Sequence, residues 1–383
     1  MDIWEQFKKY ASAEVEAARS LPPACYSSPD FYAAERERIF RSDWVFVCNS
    51  AVLAKPGDRF AVNIAGEPVV VVRGNDEKLR ALSNSCSHRG TPICDLGFSQ
   101  GPNMVCPYHS WNFTLDGELK GAPYTGCVEI DKEAHALPEY QLEVWCGLVF
   151  VNIDGNAKQL EERYAPIVPY LESYGCAEPA YGAEQEAETW ASNWKLVIEN
   201  AMESYHLFKV HKPTLETVTP TKGAFYVEGC ADWALTAGEY TGYMDGVRNL
   251  VGASKKGPNH HYLLVCLPPS FVGIASAEGY LGYLAMLPDG PGQTYTRAGV
   301  VSANSIQRSS REEDFTAAFF AEDKWICERA FTGMESARAG GGQLVELERI
   351  VHAFHRYLGS RLCDLPAGGV YKDPLAEEKG LTS

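Results

Sequence analysis

The sequence predicts an α+β protein with two domains and a helical N-terminal segment. The chain has 383 residues, which exceeds the usual size of a single domain. Near Asn156 the pattern changes from β-branched and aromatic runs to apolar residues at helical spacing. We therefore expect a helical segment over residues 1–43, an all-β domain over 44–155 and an α+β domain over 156–383, with the helical segment packed on the α+β domain.

Charge and composition limit the class of partner. The chain carries 34 Lys and Arg against 50 Asp and Glu, a net charge of −16 at pH 7, which argues against nucleic acid and anionic membrane surfaces. The start MDIWEQFKKYASAEVEAARS lacks the basic and apolar regions of a signal peptide, and no apolar run approaches the length of a membrane span. We expect a cytoplasmic protein whose 12 cysteines are mostly reduced thiols.

The predicted all-β domain carries two Cys-His pairs. Runs such as WVFVCN and RFAVNIAGEPVVVVRG are bounded by the turn signals GND and LDGE, which predicts short strands. The stretches CSHRG (86–90) and CPYHSW (106–111) each begin just after such a strand. We therefore expect the two loops that carry them to meet at one end of the domain.

Three interpretations of these pairs compete: a zinc site, a redox cluster, or four ordinary core residues. A zinc site usually groups its cysteines first and its histidines later, whereas each pair here mixes the two types. The mixed order suits a cluster of two irons, in which two thiolates hold one iron and two neutral imidazoles hold the other. Visible absorption would separate a coloured iron cluster from zinc.

The second domain contains a candidate site for a single metal ion. The segment NWKLVIENAMESYHLFKVH predicts a helix on which Glu203 and His206, three residues apart, share a face. His206 and His211 miss a common helical face by about 140°, so the helix must end or deform between them if both bind one ion. Two histidines and one carboxylate form the facial triad of non-haem iron(II) oxygenases. The later helical segment AEDKWICERAF offers three carboxylates: Glu322, Asp323 and Glu328.

The whole chain resembles the α subunit of Rieske non-haem iron oxygenases of the ring-hydroxylating type. The resemblance rests on C-x-H followed by C-x2-H, on E-N-x-x-E-x-Y-H-x4-H and on E-D-x-x-I-C-E. It extends from LPPACYSSPDFYAAERERIF near the N-terminus to ELERIVHAFHRYL near the C-terminus. It implies an all-β Rieske domain and a catalytic domain in which helices flank an antiparallel sheet, of the helix-grip, START-like type.

The resemblance also implies the ligands of a Rieske [2Fe-2S] cluster. Cys86 and Cys106 would bind one iron, and His88 and His109 would bind the other. The family often has glycine after the second histidine, whereas this chain has Ser110. Hydrogen bonds to cluster sulfurs shift the reduction potential, so a hydroxyl at this position could do so.

A mononuclear non-haem Fe(II) site is implied in the second domain. Its ligands would be His206, His211 and Asp323, with Glu322 left open as an alternative to Asp323. Glu203 would be the carboxylate that bridges this site to His109 of a neighbouring subunit. Asn200, in the same motif, is implied as a further catalytic residue.

The function implied by the resemblance is that of a terminal oxygenase component. It would use O2 and electrons from NAD(P)H, passed on by a separate flavin/iron-sulfur reductase with or without a ferredoxin, to hydroxylate or oxidatively dealkylate a small organic substrate. Monooxygenation is favoured over dioxygenation, and a head-to-tail homotrimer is expected. Many members of the family have Asp at the position of Glu203. Glu occurs there in the branch that resembles carnitine, glycine betaine and choline oxygenases. The resemblance to that branch implies a quaternary amine as substrate.

Two alternatives stay open. One is an aromatic-ring or alicyclic natural-product hydroxylase or dioxygenase of the same family, and the other is a Rieske electron-transfer protein without oxygenase activity. Aromatic residues in the central strands could cage a quaternary ammonium through cation–π attraction, or could simply be core residues. These aromatic residues are Phe225, Tyr226, Trp233, Tyr240, Tyr243, Tyr262, Phe271, Tyr280 and Tyr283.

Overall fold

The N-terminal segment is helical and packs against the second domain. The computed structural model describes residues 2–241, 257–305, 310–336, 339 and 341–381. The first helices are α1 (Ile3–Ala11), α2 (Ala24–Ser27) and α3 (Pro29–Glu35), and α3 continues into a π-helical turn (Arg36–Phe40). The buried face of α1 packs against the helix Arg349–Cys363, so the N-terminal segment contacts a helix from the last part of the chain.

The first domain is all-β. A seven-stranded antiparallel sheet has the order β1-β10-β9-β4-β3-β2-β5, and a three-stranded sheet has the order β6-β7-β8. The hairpin between β2 and β3 turns at Ala65 and Gly66, both with positive φ, as a tight two-residue hairpin turn requires. The strands are β1 (Val45–Asn49), β2 (Asp58–Ile64), β3 (Glu67–Arg73), β4 (Leu79–Ser83), β5 (Gly97–Gln100), β6 (Met104–Val105), β7 (Asn112–Phe113), β8 (Leu119–Gly121), β9 (Glu139–Trp145) and β10 (Leu148–Asn152).

A long antiparallel sheet forms the centre of the second domain. Its order is β11-β18-β17-β16-β15-β14-β13-β19, and β12 pairs with β18. The strands are β11 (Tyr181–Glu184), β12 (Glu188–Trp190), β13 (Ala224–Gly229), β14 (Ala234–Glu239), β15 (His261–Leu267), β16 (Phe271–Ser276), β17 (Tyr280–Pro288), β18 (Thr294–Ser302) and β19 (Tyr371–Lys372). This sheet and its helices confirm the predicted α+β class.

Helices cover this sheet and carry much of the candidate site. α6 packs on strands β15 to β17 and against α8, while α9 packs on β13 and β14. The helices are α4 (Leu160–Tyr164), α5 (Val168–Ser173), α6 (Trp194–Met202), α7 (Leu207–Val210), α8 (Ser310–Met334), α9 (Arg349–Cys363) and α10 (Pro374–Glu378). Within the described residues, no helix is both long and apolar enough to cross a lipid bilayer.

Helix α6 is held in the interior by an ion pair at its first turn. Asn193 caps the helix, because its side chain accepts a hydrogen bond from the Lys195 backbone N–H at 3.0 Å. The Lys195 ammonium is fully buried and lies 2.5 Å from the carboxylate of Glu35 on α3. Because removing one partner would leave a buried charge unpaired, this pair fixes α6 against the N-terminal segment.

The structure corrects one sequence-based prediction. The segment NWKLVIENAMESYHLFKVH is not one helix, since α6 ends at Met202 and Glu203 is extended, with φ −114° and ψ 162°. The prediction that Glu203 and His206 share a helical face is therefore wrong. The predicted end near His211 is confirmed, because α7 spans only Leu207–Val210 and is flanked by the two histidines.

Candidate metal centres and substrate cavity

The two Cys-His loops meet at one end of the all-β domain. The rings of His88 and His109 lie 4.8 Å apart between centroids, which confirms the expected approach of the loops. Cys86 and Cys106 are buried, whereas both histidines are exposed. Burial and the neighbouring Cys106 thiol raise the pKa of Cys86. Buried thiols and exposed imidazoles fit a two-iron cluster in which Cys86 and Cys106 would hold one iron and His88 and His109 the other.

The two loops have matching backbone turns. The backbone N–H of Gly90 donates to the carbonyl of Cys86 at 2.8 Å, and that of Ser110 donates to the carbonyl of Cys106 at 3.0 Å. Gly90 and Ser110 both have positive φ, at 72° and 58°. Glycine adopts this region without strain, whereas a side chain there costs about 1–2 kcal/mol. The position of Ser110 therefore requires the conformation that glycine adopts most easily.

Aromatic residues fix the two exposed imidazoles. Trp111 is buried and stacks on His88, with ring centroids 4.6 Å apart and planes 6° apart. Tyr108 lies against His109 at 3.7 Å, and the Arg89 guanidinium lies over the Tyr108 ring at 5.3 Å. Packing against an aromatic ring thus orients each of the two histidine side chains.

In the second domain, two histidines and one carboxylate converge. The candidate ligand atoms of His206, His211 and Asp323 all lie within 4.8 Å of one another. Asp323 Oδ1 lies 2.9 Å from His211 Nε2 and 3.5 Å from His206 Nε2. The histidines flank α7, and Asp323 is on α8. This donor set is that of the facial triad of non-haem Fe(II) enzymes.

Each histidine has a carboxylate on its other ring nitrogen. His206 Nδ1 lies 2.6 Å from Glu203 Oε1, and His211 Nδ1 lies 2.7 Å from Glu322 Oε2. The Thr214 hydroxyl donates to the same Glu322 oxygen at 2.6 Å. A carboxylate on Nδ1 fixes the tautomer and leaves Nε2 free as the ligand nitrogen. This geometry favours Asp323 over Glu322 as the third ligand, because Glu322 lies behind His211.

The site contains an excess of negative charge. Burial opposes the charged form of His206, but Glu203 and Asp323 outweigh it and raise the pKa of His206 to about 10. Burial also favours the neutral form of Asp323, yet hydrogen bonds from the two histidines lower its pKa overall. The carboxylates thus favour a positive charge between the rings, which a divalent cation would supply, so the residues fit an iron(II) ion.

Glu203 reaches His206 from a turn. Its carboxylate also accepts hydrogen bonds from the backbone N–H groups of Tyr205 and of His206, the latter at 3.3 Å. The carboxylate therefore closes a turn directly after α6. Asn200, in the last turns of α6, donates through Nδ2 to Asp323 Oδ1 at 2.7 Å, which orients that carboxylate.

The third candidate acid on α8 lies outside this site. Glu328 accepts a hydrogen bond from the backbone N–H of Ala191 at 3.0 Å. It thus fastens α8 to the segment before α6. Thr214, which bonds to Glu322, was not predicted from the sequence, where its only signal is its position three residues after His211.

A cavity of about 380 Å³ opens beside the triad. Four of the nine predicted aromatic residues line it: Tyr240, Tyr262, Tyr280 and Tyr283. Four others are buried away from this lining: Phe225, Tyr226, Trp233 and Phe271. Tyr243 lies outside the described residues. Phe319 and Phe320 also line the cavity; they were not predicted as lining residues, because they lie on helix α8 and not on the aromatic-rich strands.

Comparison with known proteins identifies both domains. Residues 43–141 match the Rieske [2Fe-2S] domain, and residues 176–363 match the ring hydroxylating alpha subunit (catalytic domain). The chain belongs to the Rieske non-haem iron oxygenase α subunits. These two domains imply a Rieske [2Fe-2S] cluster and a mononuclear iron.

Curated relatives include oxygenase subunits named for quaternary amines. The chain is 32% identical over 225 residues to the carnitine monooxygenase oxygenase subunit of Acinetobacter baumannii, covering 58% of this chain and 60% of that protein. It is 33% identical over 199 residues to the glycine betaine monooxygenase oxygenase subunit of Chromohalobacter salexigens, covering 52% and 44%. The chain thus spans 60% or less of the length of these relatives.

A solved structure shares the fold. A quaternary ammonium Rieske monooxygenase superposes with a TM-score of 0.77 and 23% identity, covering 93% of this chain and 98% of that one. This likeness confirms the predicted Rieske oxygenase architecture of an all-β domain followed by a sheet flanked by helices.

Proposed function

We propose that this Rieske oxygenase chain is the terminal oxygenase component of a monooxygenase that acts on a quaternary amine. The observation that carries the proposal is the convergence of His206, His211 and Asp323, with both histidine Nε2 atoms directed at one carboxylate oxygen. A protein that only carries electrons needs only the Rieske cluster, and the group formed by His206, His211 and Asp323 would then have no role. The names of the curated relatives support the substrate class.

The overall reaction would insert one oxygen atom into a C–H bond of the substrate. The other oxygen atom would leave as water, with two electrons from NAD(P)H through a flavin/iron-sulfur reductase and two protons from solvent. When loaded, the cluster would supply single electrons and the mononuclear iron would supply the oxygen chemistry. Hydroxylation of the carbon next to nitrogen would be followed by cleavage of the C–N bond, in which the hydroxylated carbon leaves as an aldehyde and the nitrogen remains as a tertiary amine with release of one proton; the net change is an oxidative dealkylation.

The chain's own residues have separate tasks in this proposal. Cys86 and Cys106 would hold one iron of the cluster, and His88 and His109 the other. Asn200 orients the Asp323 carboxylate, and Glu322 and Glu203 orient the two histidines. The apolar cavity wall, which includes Leu264, Val272 and Leu284, excludes water and holds the substrate next to the triad.

Glu203 would carry the path between the two kinds of centre. One carboxylate oxygen is bonded to the His206 ring, and the side chain is only 10% exposed although it follows the end of α6. The neighbouring Tyr205 is exposed, so this turn lies at the protein surface. His109, exposed at the tip of the all-β domain, could approach it from another copy of the chain. We therefore propose a head-to-tail ring of identical subunits, a trimer.

The test combines metal analysis with product detection. Purified chain loaded with iron should contain about three irons, two in the cluster and one at the mononuclear site. With reductase, NADH and O2, it should consume NADH only when a quaternary amine is present and should release a stoichiometric aldehyde or hydroxylated product. A chain with about two irons and no product from any quaternary amine, aromatic acid or alicyclic compound would instead support the electron-transfer alternative.

A further inference from the structure

With iron(II) bound, the mononuclear site as a whole would keep a net negative charge; Glu203 and Asp323 line the cavity, and Glu322 lies behind His211. Glu203, Glu322 and Asp323 surround the two histidines. Ligating histidines are neutral, so three carboxylates and one divalent iron leave a charge of about −1 (−3 + 2). An anionic substrate group would be repelled here, and a cationic group would be attracted.

No basic residue offsets this charge in the described part of the cavity wall. There, Glu203, His206, His211 and Asp323 are the only ionisable side chains besides tyrosines. The remaining polar groups are neutral, mainly the hydroxyls of threonine, serine and tyrosine and the Asn200 amide. A buried carboxylate without a cationic partner or several hydrogen bonds is strongly disfavoured. A neutral hydroxyl can bond to the groups that are present.

Two tyrosine rings form an aromatic corner next to the negative end. Tyr240 and Tyr262 have ring centroids 6.0 Å apart and planes at 66°. The Tyr262 hydroxyl is hydrogen-bonded to Ser204 Oγ at 3.1 Å. Burial, opposed in part by the Ser204 hydrogen bond and reinforced by the charge of Glu203, raises the pKa of Tyr262 to about 12. Its ring is thus neutral at pH 7, and a cation at this corner would face two π-systems with Glu203 nearby.

We propose that the cavity selects a quaternary ammonium that carries no anionic group, with the ammonium at the Tyr240–Tyr262 corner and a neutral hydroxyl or apolar tail. This inference rests on the proposed function and narrows its substrate class. Carnitine and glycine betaine, the compounds in the names of two relatives, each carry a carboxylate. The described wall of this chain offers such a carboxylate no cationic partner.

The test compares four ligands that combine a cationic or a neutral head group with a neutral or an anionic tail. Choline has a cationic head and a neutral tail, and glycine betaine has the same head with a carboxylate. In 3,3-dimethylbutan-1-ol and 3,3-dimethylbutyrate, carbon replaces nitrogen, so the head is neutral while its shape is kept. Calorimetric titration of the iron-loaded protein measures each dissociation constant without turnover. Choline should bind at least about tenfold tighter than each of the other three.

The outcomes separate this inference from the proposed function. If glycine betaine binds as tightly as choline or more tightly, the inference is overturned while quaternary amine recognition stands. If the neutral alcohol binds as tightly as choline, or if neither cation binds, the proposed substrate class is overturned together with the inference.

A pair of variants tests the aromatic corner. Tyr240→Leu removes one ring face and should weaken choline binding by about three- to thirtyfold, with little change for 3,3-dimethylbutan-1-ol. Tyr240→Phe keeps the ring and should keep the preference for choline over the alcohol. An equal loss for choline and for the alcohol in Tyr240→Leu would overturn the location, because it would show a loss of packing alone.

Discussion

Replacing Glu322 by Gln should weaken iron binding at the mononuclear site by about 10- to 100-fold. Glu322 Oε2 lies 2.7 Å from His211 Nδ1, on the side of the ring away from Asp323. The carboxylate fixes the tautomer in which Nε2 is unprotonated, and it makes that nitrogen a better donor to a cation. The amide keeps the shape of the side chain but loses the charge.

The magnitude follows from the contacts that the change removes. A 10- to 100-fold loss corresponds to about 1.4–2.7 kcal/mol, which is the range for one hydrogen bond to a charged group. The Glu322 side chain is 24% exposed, so solvent screens the interaction only in part. Thr214→Val removes one hydrogen bond to Glu322 (2.6 Å) and should therefore have a smaller effect.

Competition with a chelator of known affinity measures these constants. Because Thr214 acts through Glu322, the double variant should bind iron no more weakly than Glu322→Gln alone. Glu328→Gln is the matched control on the same helix, since Glu328 bonds to the Ala191 backbone and not to the triad. Unchanged affinity in Glu322→Gln would refute the role of Glu322 in orienting His211. Complete loss of the mononuclear iron would show that Glu322 is itself a ligand.

Three further changes test other parts of the account. Glu203→Gln should keep both metal centres and normal reduction of the cluster, but stopped-flow reoxidation by O2 with substrate should slow by about 10- to 100-fold; reoxidation at the original rate would show that electrons do not pass by Glu203. Ser110→Gly should raise the unfolding free energy of the all-β domain by about 1 kcal/mol in chemical denaturation, because φ is 58°; a loss of stability would contradict the strain argument. Burial disfavours the charged form of Asp43, but Arg163 and Arg361 outweigh this effect and lower its pKa from 3.8 to about 2. The contribution of Asp43 to the free energy of unfolding is therefore complete above pH 3.8 and is lost as the pH falls towards 2. Asp43→Asn should therefore be less stable at pH 7, and the difference should shrink in acid; a difference that is independent of pH down to 2 would refute this linkage.

The Cys-His loops could be predicted from sequence because their information is local. Cys86 and Cys106 each follow a strand, and the positions of the paired histidines are set by the short turns that Gly90 and Ser110 close. In one small β domain, two such loops have few possible relative positions, and many of these bring them close together. The position of the two loops after strands indicated that they could meet at one end of the domain, and the resemblance to Rieske proteins implied that His88 and His109 belong together.

The partners of the mononuclear site could not be predicted in the same way. Asp323 lies 112 residues from His211, and the adjacent Glu322 has the same charge, so only the rotation of α8 decides which carboxylate faces which nitrogen. The Glu203–His206 contact was predicted through the wrong geometry, because residues three apart can also meet across a turn in which the first residue is extended. Sequence spacing alone does not distinguish these two cases.

The cavity was the least predictable part. Aromatic residues occur along strands β13 to β17, but Tyr262 lines the cavity whereas Phe225 packs in the core away from it. Alternation along a strand divides residues between two faces, and it does not say which face holds the cavity. That choice follows from how α6 and α8 pack on the sheet.

The central claim is that this chain holds two separate metal centres. Iron content and visible absorption, measured together on the original chain, on His109→Ala and on Asp323→Ala, test it most directly. We predict about three irons and full Rieske colour for the original chain, loss of the colour in His109→Ala, and about two irons with full colour in Asp323→Ala. Full colour in His109→Ala, or about three irons in Asp323→Ala, would contradict the account.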